Sequence, residues 1–250
     1  MNLKKAIAGV CLGALLLTGG CGQNQSNTQQ IKDTAQAQET AGVETETSSE
    51  NGNPSQAEAS RDIFAMDTYM SVTAFGENAD AAVDAAQAEI ERLDAMLSTG
   101  NGDSEIAKLN VSGTAELSVD AGYLVERALE LYTETDGAFD IAIYPVMEAW
   151  GFPSQNYQVP SEDILQERLA LADASKVSYD ADSRKVSFGE AGMEIDLGGI
   201  AKGYTSARIM DIFRSYGITS GLVNLGGNVQ VLGTKTDGSK WRVAAPISGR

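Results

Sequence analysis

Between Asn78 and Leu97 the apolar residues Val83, Ala86, Ile90, Leu93 and Leu97 return every three or four positions, the spacing of one helix face. This predicts an amphipathic helix, capped by Asn78 or Asp80, lying on a sheet with one side buried. A second helix is expected from Val119 to Thr135 behind a Ser118 cap, with Leu124, Val125, Ala128, Leu129 and Tyr132 on its buried face and Asp136-Gly137 as its stop. Turn-rich Gly100 to Ser104 precedes a short helix around Glu105 to Leu109, and Ser161 to Ala172 reads as another. A longer one is predicted from Gly199 to Tyr216, burying Ile200, Ile209, Ile212 and Phe213 and stopping at Gly217.

Strand patterns fill the remainder. Phe64 to Phe75 interleaves Thr, Tyr and Val with small residues and reads as a strand, as do Ala138 to Ile143 and a stretch starting at Trp241. Lys176 to Phe188 reads as a hairpin turning at Asp180 to Ser183, and Gly221 to Val231 as two stretches around Gly226-Gly227, a pair suited to a bulge where a sheet bends. Both features call for antiparallel neighbours, and strict strand-helix alternation is missing. The expected fold class is therefore α/β of the α+β type: a mixed, largely antiparallel sheet with flanking helices.

The first sixty residues break this pattern. Lys4 and Lys5 precede an apolar run from Ala6 to Leu17, too short to span a bilayer, and Gly19-Gly20 leads directly into Cys21. That order resembles a bacterial lipoprotein signal (residues 1–20), with Cys21 as the lipidated N-terminus of an exported, membrane-anchored protein. Residues 22–60 are rich in Gln, Ser, Thr, Glu and Asn and predict a solvated tether. The folded domain is expected over residues 61–250. Cys11 would leave with the leader, so no intramolecular disulfide is expected and stability must come from a core.

Charge and composition narrow the chemistry. A formal net charge of -17 leaves no basic excess for nucleic acid. The chain contains no histidine, so any metal must be held by oxygen, which points to magnesium or calcium. Against that background, Glu194-Ile195-Asp196-Leu197-Gly198-Gly199-Ile200-Ala201-Lys202-Gly203-Tyr204 places a carboxylate, two glycines and a lysine where a strand pattern gives way to a helix. Such a turn suits a phosphate-bearing ligand, because the glycines allow close main-chain approach and the helix presents its positive end. A plain strand-to-helix turn has the same composition. Trp150-Gly151-Phe152 likewise has two readings, the cover of a core's end or a sandwich for a planar ring.

Several motifs in series resemble one family. Ala65-Met66-Asp67-Thr68, Leu97-Ser98-Thr99, Asp103 to Ile106, Asp136 to Ile141, Trp150 to Phe152, the Glu194 to Tyr204 stretch and Leu222 to Gly227 occur in the order found in the FAD:protein FMN transferases, the ApbE family. The resemblance implies an ApbE-like fold and a magnesium-dependent transfer of the FMN half of FAD to a threonine or serine hydroxyl of an acceptor flavoprotein, with AMP departing. It implies that Met66, Ala138, Phe139, Asp140, Asp196 and Lys202 bind FAD and that the Gly199 carbonyl is a magnesium ligand, and it assigns no catalytic residue. An FAD pyrophosphatase and a non-catalytic flavin-binding lipoprotein are the alternatives.

Gly100 stands where many members carry Tyr or Asn beside the nucleotide, which removes a side-chain contact and bears on the balance of transfer against hydrolysis. Asp67 stands where glycine is common. Family members also continue past the Trp241 strand to a motif supplying Asp and Thr to the magnesium, so the sequence is expected to be a C-terminally incomplete piece.

Overall fold

The computed structural model describes residues 57–244; the leader, Cys21, most of the tether and residues 245–250 lie outside the described part. Strand β1 (Glu58–Ala65) begins inside the segment that the composition assigns to the tether, and it pairs antiparallel with β2 (Thr68–Phe75) in unbroken register from Glu58 opposite Phe75 to Ala65 opposite Thr68. The single strand expected over Phe64 to Phe75 is thus two strands joined by a turn at Met66-Asp67. Both residues are left-handed, at φ 49° and 56°, a conformation that the side-chain pattern does not announce.

Helix α1 (Ala79–Leu97) follows, and its apolar stripe serves two cores. Ala79 to Ile90 packs with Ile63, Met70, Val72 and Ala74 of the first hairpin. Leu93 and Leu97 belong to a second cluster with Ile106, Leu109, Leu124, Val125 and Ile195. These come from α2 (Glu105–Ser112), α3 (Val119–Glu134) and the segment entering the last helix. Ser104 and Ser118 cap α2 and α3 by accepting main-chain N–H bonds from Ala107 and Ala121.

Two sheets form, and every strand pair in them is antiparallel. Strands β1, β2, β6 (Ser220–Leu225) and β7 (Asn228–Gly233) lie in the order β1-β2-β6-β7. Short β3 (Thr114–Glu116) joins the hairpin β4 (Val177–Asp180) and β5 (Lys185–Phe188) in the order β3-β5-β4. Gly226 and Gly227 form the two-residue turn between β6 and β7, not a bulge: Leu225 pairs with Asn228 and both glycines have positive φ. A side chain at Gly226 would lie 2.5 Å from the Thr68 hydroxyl oxygen, so this turn packs tightly on the start of β2.

Two strand expectations fail. Ala138 to Ile143 instead enters a 3-10 turn at Ile141–Ile143 and then α4 (Tyr144–Ala149). Asp140 explains the change, since its carboxylate accepts the Ala142 N–H at 2.7 Å and caps the turn. No strand forms at Trp241; its indole N–H donates to the Leu232 carbonyl at 3.3 Å and its ring lies beside Phe75. Helix α5 (Glu162–Leu169) lies on the surface with no buried residue.

The final helix, α6 (Gly198–Ser215), crosses both cores. Ala201 belongs to the second, while Ile209, Met210 and Phe213 belong to the first. Polar contacts tie it to α1 and α3: Arg92 binds Glu89 at 2.8 Å and Asp120 at 2.6 Å, Arg208 reaches Glu89 at 3.2 Å, and the Tyr204 hydroxyl donates to Asp120 at 2.5 Å. Burial and the adjacent Asp120 push the Tyr204 phenol up to about 12. Close packing extends to β6, where a Cβ on Gly221 would stand 2.8 Å from the Phe213 ring. Gly221→Ala should therefore lower unfolding stability by about 1–3 kcal/mol through overpacking, read from the urea midpoint with the slope unchanged.

Candidate functional site

Helix α6 begins without a side-chain cap, because its N-cap position is Leu197. The preceding residue takes part of that role: Asp196 Oδ1 accepts the Gly198 N–H at 2.8 Å, and the Asp196 N–H donates to the Ile141 carbonyl. The Ile200 and Ala201 amides donate to the Leu197 carbonyl, so among the described residues the Gly199 amide is the first-turn donor left open at the positive end of the helix dipole. The two glycines are needed for different reasons. A Cβ on Gly198 would come within 2.9 Å of Asp196 Oδ1, and one on Gly199 within 3.0 Å of the Phe139 ring.

A cleft opens beside this helix start. It encloses about 480 Å³, counted out to open solvent. One wall is Asp196, Leu197, Gly198, Ala201 and Lys202; the other is the Met66-Asp67 turn with Asp94, Leu97, Ser98 and Thr99 from the end of α1 and the loop after it. The cleft thus lies where α1 passes from one core to the other, and Met66 packs against both.

Its electrostatics are divided. Burial raises the pKa of Asp196 above the ordinary carboxylate value, Asp67 adds to the rise, and the Gly198 amide and Lys202 oppose it. Lys202 makes no ion pair among the described residues, so its charge is available to a ligand. A lysine and a helix N-terminus facing a half-buried carboxylate form a site that accepts an anion and keeps an oxygen donor beside it.

Of the residues singled out in the sequence, the structure brings Met66, Asp196 and Lys202 to this cleft. Gly199, next to the lining residue Gly198, is not itself in the lining, and neither is Phe139, whose ring lies against Gly199. Ala138 is exposed and, like Asp140, is not part of the lining. Asp140 ties the main chain together, accepting from Ala142 with one oxygen and from Ala174 with the other at 3.2 Å. Sequence reasoning missed Asp94 as a site residue. A signal was present, since Asp94 stands four residues after Ile90 on the edge of the apolar stripe, an expensive place for an unpartnered carboxylate. Its partner is the Met66 N–H, at 3.0 Å.

The Asp196 environment sets a stability test. Its raised pKa means that the folded state holds the proton more tightly than the unfolded chain, so stability falls as pH rises from the ordinary value of 3.8 through the raised one. Asp196→Asn keeps an acceptor for Gly198 and removes the ionisation. Thermal melts should show this variant more stable than the parent at pH 7, with the gain disappearing below about pH 4.

Comparison with known proteins supports this assembly of motifs. Residues 66–246 match the model of the ApbE family. The FAD:protein FMN transferase of Treponema pallidum is 33% identical over 190 residues, covering 71% of this chain and 52% of that protein. A Klebsiella pneumoniae protein of the same name is 33% identical over 154 residues, covering 60% and 49%. The chain spans about half the length of the curated relatives it matches. Among solved structures, the ApbE protein of Thermotoga maritima aligns with a TM-score of 0.69 at 28% identity, covering 73% of this chain and 61% of that one. The apo flavinyl transferase ApbE of Pseudomonas stutzeri aligns at 0.70 with 25% identity, covering 78% and 64%. With the family model matched from the Met66 turn through both sheets and α6, the chain belongs to the ApbE family.

Proposed function

We propose that this chain carries the nucleotide-binding part of an FAD:protein FMN transferase. The observation that carries the reading is the cleft in which Asp196, Lys202 and the glycine-opened start of α6 face the Met66-Asp67 turn. Relatives that bear this name align with 190 and 154 residues of the chain. In the proposed reaction the hydroxyl oxygen of an acceptor threonine or serine bonds to the flavin-side phosphorus of FAD. The bond from that phosphorus to the bridging oxygen breaks, AMP leaves with the oxygen, and the hydroxyl proton is released. Such chemistry depends chiefly on placement and charge stabilisation.

This chain's residues have distinct parts in that reading. Lys202 and the open Gly199 amide at the start of α6 bind the diphosphate, and Leu97 and Met66 give the cleft apolar surface against the nucleotide. Phe139, at the face of Gly199, holds the glycine turn in place. Asp196, fixed by the Gly198 N–H, keeps one carboxylate oxygen directed by the main chain.

The donors suit a magnesium ion: Asp196 and Asp67 line the cleft, and with the Gly199 carbonyl that the family resemblance adds they offer hard oxygen only. Among the described residues no three acidic side chains converge on one point. When bound, the magnesium ion would neutralise diphosphate charge. The lipoprotein-like start of the sequence supports an exported location with a lipid on Cys21, and an acceptor flavoprotein of a membrane electron-transfer system fits that placement. No helix among the described residues is long and apolar enough to cross a membrane.

The direct test incubates the protein with FAD, magnesium and a candidate acceptor and weighs the acceptor by mass spectrometry. An added FMN is the expected result; FMN and AMP without an adduct would identify a pyrophosphatase, and unchanged FAD a binding protein. In flavin fluorescence titrations, Asp196→Ala and Lys202→Ala should each weaken FAD binding about tenfold or more, the scale of one charge-assisted contact. Unchanged affinity in both would remove this cleft as the FAD site.

A further inference from the structure

We propose that Asp94 is a positioning residue for the nucleotide cleft, holding the Met66-Asp67 turn in its left-handed form; this rests on the FAD-binding reading above. The turn is a two-residue hairpin loop closed by the Ala65–Thr68 pair. Loops of this kind favour Asn-Gly or Asp-Gly because both central residues need positive φ. Here Met and Asp occupy them, at φ 49° and 56°, and each carries a Cβ that opposes the conformation. Something outside the hairpin has to compensate.

The compensating contacts come from three directions. Thr68 is wedged against Gly226 of the neighbouring hairpin, which fixes where β2 starts. Met66 packs against both cores, which fixes its side chain. The Met66 N–H lies outside the Ala65–Thr68 pairing, and Asp94 Oδ1, reaching across from α1, accepts it at 3.0 Å. A charged acceptor on a main-chain donor in a half-buried place is one of the stronger single hydrogen bonds a turn can receive. Because Asp67 lines the cleft opposite Lys202, the turn's conformation sets the shape of that wall.

The sign of the effect separates this role from direct contact. If Asp94 acted on FAD only through its charge, deleting a carboxylate from the cleft would tighten binding of an anionic diphosphate, and Asn and Ala would behave alike. A latch predicts the reverse for Ala and little change for Asn, which retains an acceptor oxygen. It also predicts coupling to Asp67, because glycine at that position adopts positive φ without strain and needs the latch less.

Flavin fluorescence titration of the 250-residue chain with FAD tests this, using Asp94→Ala, Asp94→Asn, Asp67→Gly and the Asp67→Gly/Asp94→Ala double variant. Expected are a loss of about tenfold for Asp94→Ala, the scale of one charge-assisted hydrogen bond, and a loss below about threefold for Asp94→Asn. The cost of Asp94→Ala should shrink to below about threefold in the Asp67→Gly background, a non-additivity typical of contacting residues. Equal or tighter binding by Asp94→Ala, or an identical loss in both backgrounds, would overturn the proposal. Hydrogen exchange of peptides covering residues 64–70, without FAD, reads the latch independently: faster exchange in Asp94→Ala but not in Asp94→Asn supports it, and unchanged exchange refutes it. If the parent chain binds no FAD, the flavin reading falls while the exchange result still decides the latch.

Discussion

The apolar stripe of α1 is the constraint on which the rest depends. Nineteen residues of helix supply Ala79 to Ile90 to one core and Leu93 and Leu97 to the other, so the two clusters are joined by a single rigid element. Helix α6 repeats the arrangement from the opposite side, with Ala201 in one cluster and Ile209, Met210 and Phe213 in the other. The ion network of Arg92, Glu89, Asp120, Arg208 and Tyr204 closes the space between the helices with polar groups at their exposed edge.

The cleft is a product of that junction. A joint between two packed clusters leaves side chains at its seam, and Met66, packed against both, and Asp94 stand there beside Leu97 of the second cluster and the first turn of α6. Binding sites are often found at such seams, where concavity arises without opening a core. It also explains why ionisable groups survive there. Asp94 is satisfied by a main-chain donor, and Asp196 by another, so neither carboxylate is left bare in a partly dry place.

Periodicity made the helices legible. The spacing of Val83 to Leu97 and of Leu124 to Tyr132, with the Ser118 cap, gave α1 and α3 nearly to the residue, because burial of one face dictates both pattern and length. The hairpin at Lys176 to Phe188 was legible from its turn residues. The Met66-Asp67 turn was not, since it lacks the glycine that such a loop favours and the conformation is imposed by tertiary contacts from Asp94 and Thr68. Ala138 to Ile143 misled for the opposite reason: its side chains favour a strand, and a single carboxylate at Asp140 redirects the main chain. In the cleft, Asp196 and Lys202 were readable because they stand within one motif, whereas Asp94 shows in the sequence only as a carboxylate on the edge of the α1 stripe and gains its partner when α1 is laid against the first hairpin.

Strand β6 sits between β2 and β7, and its partner β2 lies far back in the chain, with Met70 opposite Leu225. The intervening residues build the whole of the other core and α6. Pairings of such long sequence separation form late, since the entropy of closing the loop must be overcome before the contact stabilises anything. The Thr68–Gly226 contact beside the cleft waits on the same event. During synthesis, therefore, the first hairpin and α1 exist for some time as a half-covered sheet, and the cleft acquires its final geometry only when β6 has emerged and slotted into place.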